Sequence, residues 1–224
     1  MQKIIICFPS DHYKKYFDFK AFIELEKKFD VTYLLNKEKY HSPPPESKKF
    51  IYYKTTHSSD VKYMRFIHLS MIKNRNKSKT FNYQFRRWYP NFYDFFQKSN
   101  QHNWETKKYK RNIIDKYPID NEIYKIVQEI QPDLIIYPSH CFEPETIKLV
   151  RISKKIDKKI LFIIDNWDNL SSKTVFFEKP DAITVWGNQS KKHAEKIQDM
   201  KKKNIFFLGS PKFDNYFKLR KKKI

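Results

Sequence analysis

The sequence predicts an α/β fold: a Rossmann-like, doubly wound, mainly parallel sheet that carries a helical insert. Three observations predict it. Seven short apolar runs recur along the 224 residues, each about the length of a strand. Several are apolar on both faces, as strands covered by helices on two sides are. Stretches with helical spacing separate most of them, and alternating strands and helices build parallel sheets with right-handed connections.

The elements follow in order. KIIICF (3–8) is a buried strand, and Phe19, Phe22, Ile23, Leu25 and Phe29 continue at helical spacing. VTYLLN (31–36) is the second strand; SPPPES then breaks the chain before FIYYKT (50–55), the third. A helix over 120–131 places Ile123, Ile126, Val127 and Ile130 on one face and leads into DLIIYPS (133–139). Ile147, Leu149, Val150 and Ile152 mark the next helix, before KILFIID (159–165), expected as the buried central strand. AITVWG (182–187), a helix over about 189–200 and NIFFLG (204–209) complete the pattern. Residues 57–117 depart from this rhythm: they are long, polar and aromatic, and are expected as helices inserted between the third and fourth strands. A lid packed on the domain is the simpler reading of the insert. In the sharper one, Trp88, Tyr89, Phe92 and Phe95 beside Arg86 and Arg87 form an amphipathic surface for lipid or acceptor.

Composition narrows the function classes. The formal net charge is +21, from 46 Lys and Arg against 25 Asp and Glu. A basic balance attracts phosphate. Yet Arg, the usual fork for phosphate and guanine, occurs only at 65, 75, 86, 87, 111, 151 and 220. The Lys is dispersed and accompanied by abundant Ile, Asn, Tyr and Phe, which is what an AT-rich genome encodes. Sequence-specific nucleic-acid binding is therefore not expected; contact with an anionic membrane surface is the next use of the charge. Cys7 and Cys141 belong to no C-x-x-C pair, so reduced structural thiols are expected and no metal site. No apolar run reaches the ~18 residues of a membrane span, and the N-terminus has no small-residue cleavage site, which predicts a cytoplasmic protein. Gly occurs only at 187 and 209, so there is no G-x-x-x-x-G-K-[ST], no G-x-G-x-x-G and no G-x-S-x-G. P-loop, ordinary dinucleotide-binding and serine-elbow readings fall together.

In a doubly wound sheet, ligands bind beyond the carboxyl ends of the strands. Those ends carry Ser10, Asp11 and His12 after the first strand and Ser139 and His140 after the fourth. Asp165, Asn166, Trp167, Asp168, Asn169, Ser171, Ser172 and Lys173 follow the fifth, Gly187 and Asn188 the sixth, and Gly209 and Ser210 the last. Hydroxyls, amides, carboxylates and an indole suit a sugar or polyol: amides and carboxylates bind hydroxyls, and an aromatic face packs on ring C–H groups. Each residue also has a plainer reading. Asp168 or Asn169 caps a short helix, Asn188 caps the helix at 189, Trp167 and Trp186 are core, and His12 is a loop residue.

IIDNWDNLSSK, PDAITVWGNQSKKHAEKI and IFFLGSPKFDNY together resemble the N-terminal half of GT-B-type glycosyltransferases of bacterial surface-polysaccharide synthesis. More distantly they are similar to the glycerophosphotransferases of teichoic acid synthesis. The resemblance covers about residues 130–219; residues 1–56 share only the strand–helix rhythm, and 57–117 have no counterpart. It implies two Rossmann-like domains across a cleft, the N-terminal one holding a sugar or polyol acceptor, free or lipid-linked. The C-terminal one would hold a nucleotide-activated sugar or polyol donor, which is a substrate; no cofactor or metal is implied. Residues 1–210 are then the acceptor-side domain, and 211–224 begin the crossing to a donor domain, which a split enzyme would carry on a separate chain. In the glycerophosphotransferases a His base follows the Trp; here Asp168 stands after Trp167, so Asp168 or Asp165 inherits that role, with His12 as a further candidate. A sugar-nucleotide epimerase half of the same fold and a non-catalytic truncated module remain as alternatives.

Overall fold

The computed structural model describes residues 1–10, 15–18, 20–40, 48–54, 79–88, 90, 119–141, 143, 145–173, 176, 178–210, 213, 216, 219 and 220. All seven expected strands are present: β1 (Lys3–Phe8), β2 (Asp30–Asn36), β3 (Phe50–Tyr53), β4 (Leu134–Ser139), β5 (Lys159–Ile164), β6 (Ala182–Val185) and β7 (Ile205–Phe207). They form one sheet, every neighbouring pair parallel, in the order β3-β2-β1-β4-β5-β6-β7. This is a Rossmann-like α/β architecture. β4 is the central strand; β5 is interior, between β4 and β6, one place from the centre expected for it.

The helices are α1 (Lys15–Asp18), α2 (Ile23–Lys28), α3 (Lys79–Trp88), α4 (Asn121–Ile130), α5 (Glu145–Lys155) and α6 (Asn188–Lys196). Of the helix expected over 19–29, only α2 forms, and a turn with Lys20 at φ 51° separates it from α1. A non-glycine residue in the left-handed region marks a turn rather than a helix interior. α3 and Pro90 are the described part of the expected insert; the rest of 57–117 lies outside the described residues. α4 starts where its sequence says it should, with Asp120 accepting from the Ile123 amide at 3.2 Å. The same carboxylate accepts from the buried Lys148 ammonium of α5 at 2.8 Å, which ties two helices together.

Strand alternation divides the core. Ile5, Cys7, Tyr137, Phe162 and Ile164 point to the face covered by α4, α5 and α6. Ile4, Ile6, Phe8, Ile136 and Ile163 point to the other, where Tyr16 and Phe22 pack. Each such side chain stabilises the fold by roughly 1.5–3 kcal/mol when fully buried. Cys7 and Cys141 are buried free thiols, and burial is the first cause that holds both well above the usual thiol pKa.

The sheet reverses its winding between β1 and β4, and there the two strands part. They pair only from Ile4–Leu134 to Ile6–Ile136, while β4 stays paired to β5 as far as Ser139–Ile164. Pro138 lies past the last β1 pair, and it has no N–H to continue a ladder on that side. In a doubly wound sheet the carboxyl edge at such a reversal is where ligands bind, and the candidate site lies there.

Candidate functional site

Asp165 continues β5 by one residue, its amide donating to the Ser139 carbonyl at 3.1 Å. Its side chain is 0% exposed, and charged groups from two other segments surround it. From α1, the Lys15 ammonium lies 2.8 Å from Oδ1, and the Tyr16 hydroxyl donates to the same oxygen at 3.2 Å. From the β4–α5 loop, His140 Nε2 stands 3.1 Å from Oδ2. Its other ring nitrogen, Nδ1, faces Glu143 Oε1 at 3.5 Å.

The loop that delivers His140 is shaped by one hydroxyl. Ser139 Oγ donates to Glu143 Oε2 at 2.8 Å and accepts from the Cys141 amide at 2.6 Å. Cys141 turns the chain at φ 68°, and the imidazole is thereby set between two carboxylates.

The electrostatics follow from this packing. Burial alone would raise the Asp165 carboxyl, but hydrogen bonds from His140 and Lys15 outweigh it and hold the group well below the usual carboxylate range. For Glu143 burial again acts upwards, and His140 and Ser139 outweigh it, so this pKa too is lowered. Burial would lower the His140 pKa; hydrogen bonds to Asp165 and Glu143 overcome that and raise it to about 9. Tyr16 is pushed above its usual value, by burial first and then by Asp165. The cluster at neutral pH is thus two carboxylates against an imidazolium and an ammonium. An imidazolium with both nitrogens turned to carboxylates has no lone pair with which to accept a proton.

A pH dependence follows. The folded-state pKa of His140 exceeds the usual 6.5, so its pairing stabilises the fold fully below that value and is lost as pH rises through about 9. Urea denaturation from pH 6 to 10 should show the native chain losing up to about 3 kcal/mol more than His140→Gln. Parallel curves would contradict the pairing. Asp165 and Glu143 act on the other flank: their contribution is present above the ordinary carboxylate range and falls away in acid.

Beyond Asp165 the loop turns outward. Asn166 is half-buried, Trp167 is 53% exposed and Asp168 is half-buried. Trp167 is therefore not core. A π-helical turn, Asn169–Lys173, follows; it takes in Ser171, Ser172 and Lys173. The Asp168 carbonyl accepts from the Ser171 hydroxyl at 3.0 Å. Asn169 is fully buried, and neither atom of its amide has a hydrogen-bond partner among the described residues. Leaving such a group unmet costs about 1–3 kcal/mol, so stability alone does not account for it. Gly187 occupies the cap position of α6 and Asn188 is its first residue, where Asn188 was expected to be the cap. Trp186 is half-buried and donates from Nε1 to the Ile164 carbonyl at 3.1 Å. Ser10 and Ser210 are half-buried at the ends following β1 and β7. Gly209, at φ 73°, makes the turn after β7 that an L side chain would strain.

The all-parallel sheet puts Ser10, His140, the Asp165–Asp168 loop, Gly187 and Ser210 on one edge. Asp165 and His140 are in direct contact. His12 and Asp11 lie outside the described residues. Lys15, Tyr16 and Glu143 were not singled out in the sequence. Glu143 had a local sign, three residues beyond His140; Lys15 had none among so many lysines. Among the described residues, no group of three or more His, Cys, Asp and Glu is placed to hold a metal ion.

Compared with known proteins, the chain matches no family model and no curated sequence.

Proposed function

We propose that this chain is the acceptor-binding half of a glycosyltransferase or glycerophosphotransferase of surface-polysaccharide synthesis, working at the cytoplasmic face of the cell envelope. One observation carries the reading. At the carboxyl edge where the sheet reverses, a charge-neutral cluster of Lys15, His140, Glu143 and the buried Asp165 underpins a loop that carries a carboxylate and an exposed indole. The two cations of the cluster already face carboxylates, so recognition falls to hydroxyl contacts rather than to charge. A polyhydroxylated ligand fits better: its hydroxyls bind carboxylates and amides, and its C–H face lies on Trp167. In this chemistry a base takes the proton of an acceptor hydroxyl. The oxygen attacks the donor's anomeric carbon or phosphorus, and the nucleotide departs with the bonding electrons on its phosphate.

Saturation-transfer NMR against neutral oligosaccharides and glycerol-phosphate oligomers tests the acceptor role. At least one class should contact the chain. Trp167→Ala should weaken that binding about tenfold, or ~1.4 kcal/mol. Because Trp167 is exposed, the same change should alter stability by no more than about 0.5 kcal/mol. A panel with no binder, or binding indifferent to Trp167, would remove the proposal.

A further inference from the structure

We propose that the cavity lined by α1, α2 and β2 binds a small aromatic carboxylate, its ring against the apolar lining and its carboxylate towards Lys20 and Lys48. The cavity measures about 230 Å³, and no residue of the Asp165–Lys173 stretch lines it. Protein interiors hold few voids larger than a water molecule, and an apolar one of roughly 150 Å³ admits benzene. The space here suits a ring with one short substituent.

The apolar lining selects the ring. Tyr16, Phe22 and Tyr33 form the buried side of the cavity, and the half-buried Phe17 and exposed Ile23 complete its apolar part. The rings are already ordered: Tyr16 and Phe22 stack at 5.7 Å, and Phe17 meets Tyr33 edge-on at 4.8 Å. A planar ring extends such an arrangement by stacking or by an edge contact, which an aliphatic chain does not.

Charge selects the substituent. Glu26 accepts from the Tyr33 hydroxyl on one oxygen and faces the Lys48 ammonium with the other, so both are engaged. The exposed Lys20 adds a second ammonium, and the lining carries two ammoniums against one carboxylate, a balance of +1. A carboxylate on the ligand complements that balance, and an amine opposes it. Tyr16 belongs to both places: its ring lines the cavity, and its hydroxyl donates to Asp165 at 3.2 Å. A ligand held here touches a residue of the candidate site without entering it. Neither ring nor charge recognition depends on the transferase reading.

Methyl NMR of the full chain titrated with benzoate, benzyl alcohol and benzylamine tests the site with one ring and three charges. Benzoate should move the Ile23 methyl resonances and bind at least about fivefold more tightly than benzylamine, the scale of a partly exposed ion pair. Salt should weaken that preference. Lys20→Gln should lower benzoate affinity about three- to fivefold and leave benzyl alcohol unchanged. Ile23→Trp, made at an exposed position, should fill the opening and lower benzoate affinity at least about tenfold by saturation transfer, at unchanged thermal stability. Should Ile23→Trp fail to fold, Lys20→Gln reports on the same cavity. Benzylamine binding as tightly as benzoate would overturn the proposal, as would benzoate binding that neither variant weakens. Ile23 methyl resonances unmoved by benzoate at about 10 mM would overturn it too.

Discussion

Asp165→Ala should lower stability by about 3–5 kcal/mol, the scale for removing one partner of a buried ion pair. The size comes from what is left behind. The Asp165 carboxylate is wholly buried; Lys15 and His140, its cationic partners, are largely so, and the Tyr16 hydroxyl loses its acceptor with them. An ion pair on the surface would cost a few tenths as much, because water replaces the lost partner. With a total stability of about 5–15 kcal/mol expected for a single domain, the loss is a large share. It should appear as a lower urea midpoint with an unchanged slope. Asp165→Ala combined with His140→Leu and Lys15→Met should recover much of it, since a vacated cluster filled by apolar groups strands no charge. A loss under about 1 kcal/mol in the single variant would mean that solvent reaches the cluster.

The cluster also marks where sequence reasoning stops. Strand existence and parallel pairing were legible because apolar runs with two buried faces demand them. That Asp165 ends a buried strand was legible too, and with it the edge of the sheet on which His140 must lie. Its part was not. A carboxylate read as a base faces His140 and Lys15, and those contacts span 25 and 150 residues of sequence. No local pattern separates Lys15 from the other lysines; only the position of α1 beside Asp165 does. The break at Lys20 was invisible for a related reason, since nothing but the backbone shows a left-handed lysine. The outward turn of Trp167 was likewise undecidable, because an indole at a strand end serves a core or a ligand equally well in one dimension.

On the transferase reading proposed above, Asp168→Asn should cut turnover by about 100-fold or more when the chain is assayed with a donor-bearing partner, the usual scale of general-base catalysis. The assignment follows from the two groups that geometry makes poor bases. Both Asp165 oxygens face cations, and a carboxyl held well below its usual range has little tendency to take a proton. His140 turns both ring nitrogens to carboxylates and stays protonated up to about pH 9. Asp168 lies three residues beyond Asp165, half-buried beside the exposed Trp167, where an acceptor resting on the indole would bring its hydroxyls. Asn keeps the size and most hydrogen bonding of Asp but cannot accept the proton, so KM should change little while kcat falls. Asp168→Glu, which retains a carboxylate at a slightly different reach, should recover part of the rate. Full activity in Asp168→Asn would take that residue out of the mechanism and pass the proton to His12, while a loss of folding alongside activity would make Asp168 a structural member of its loop.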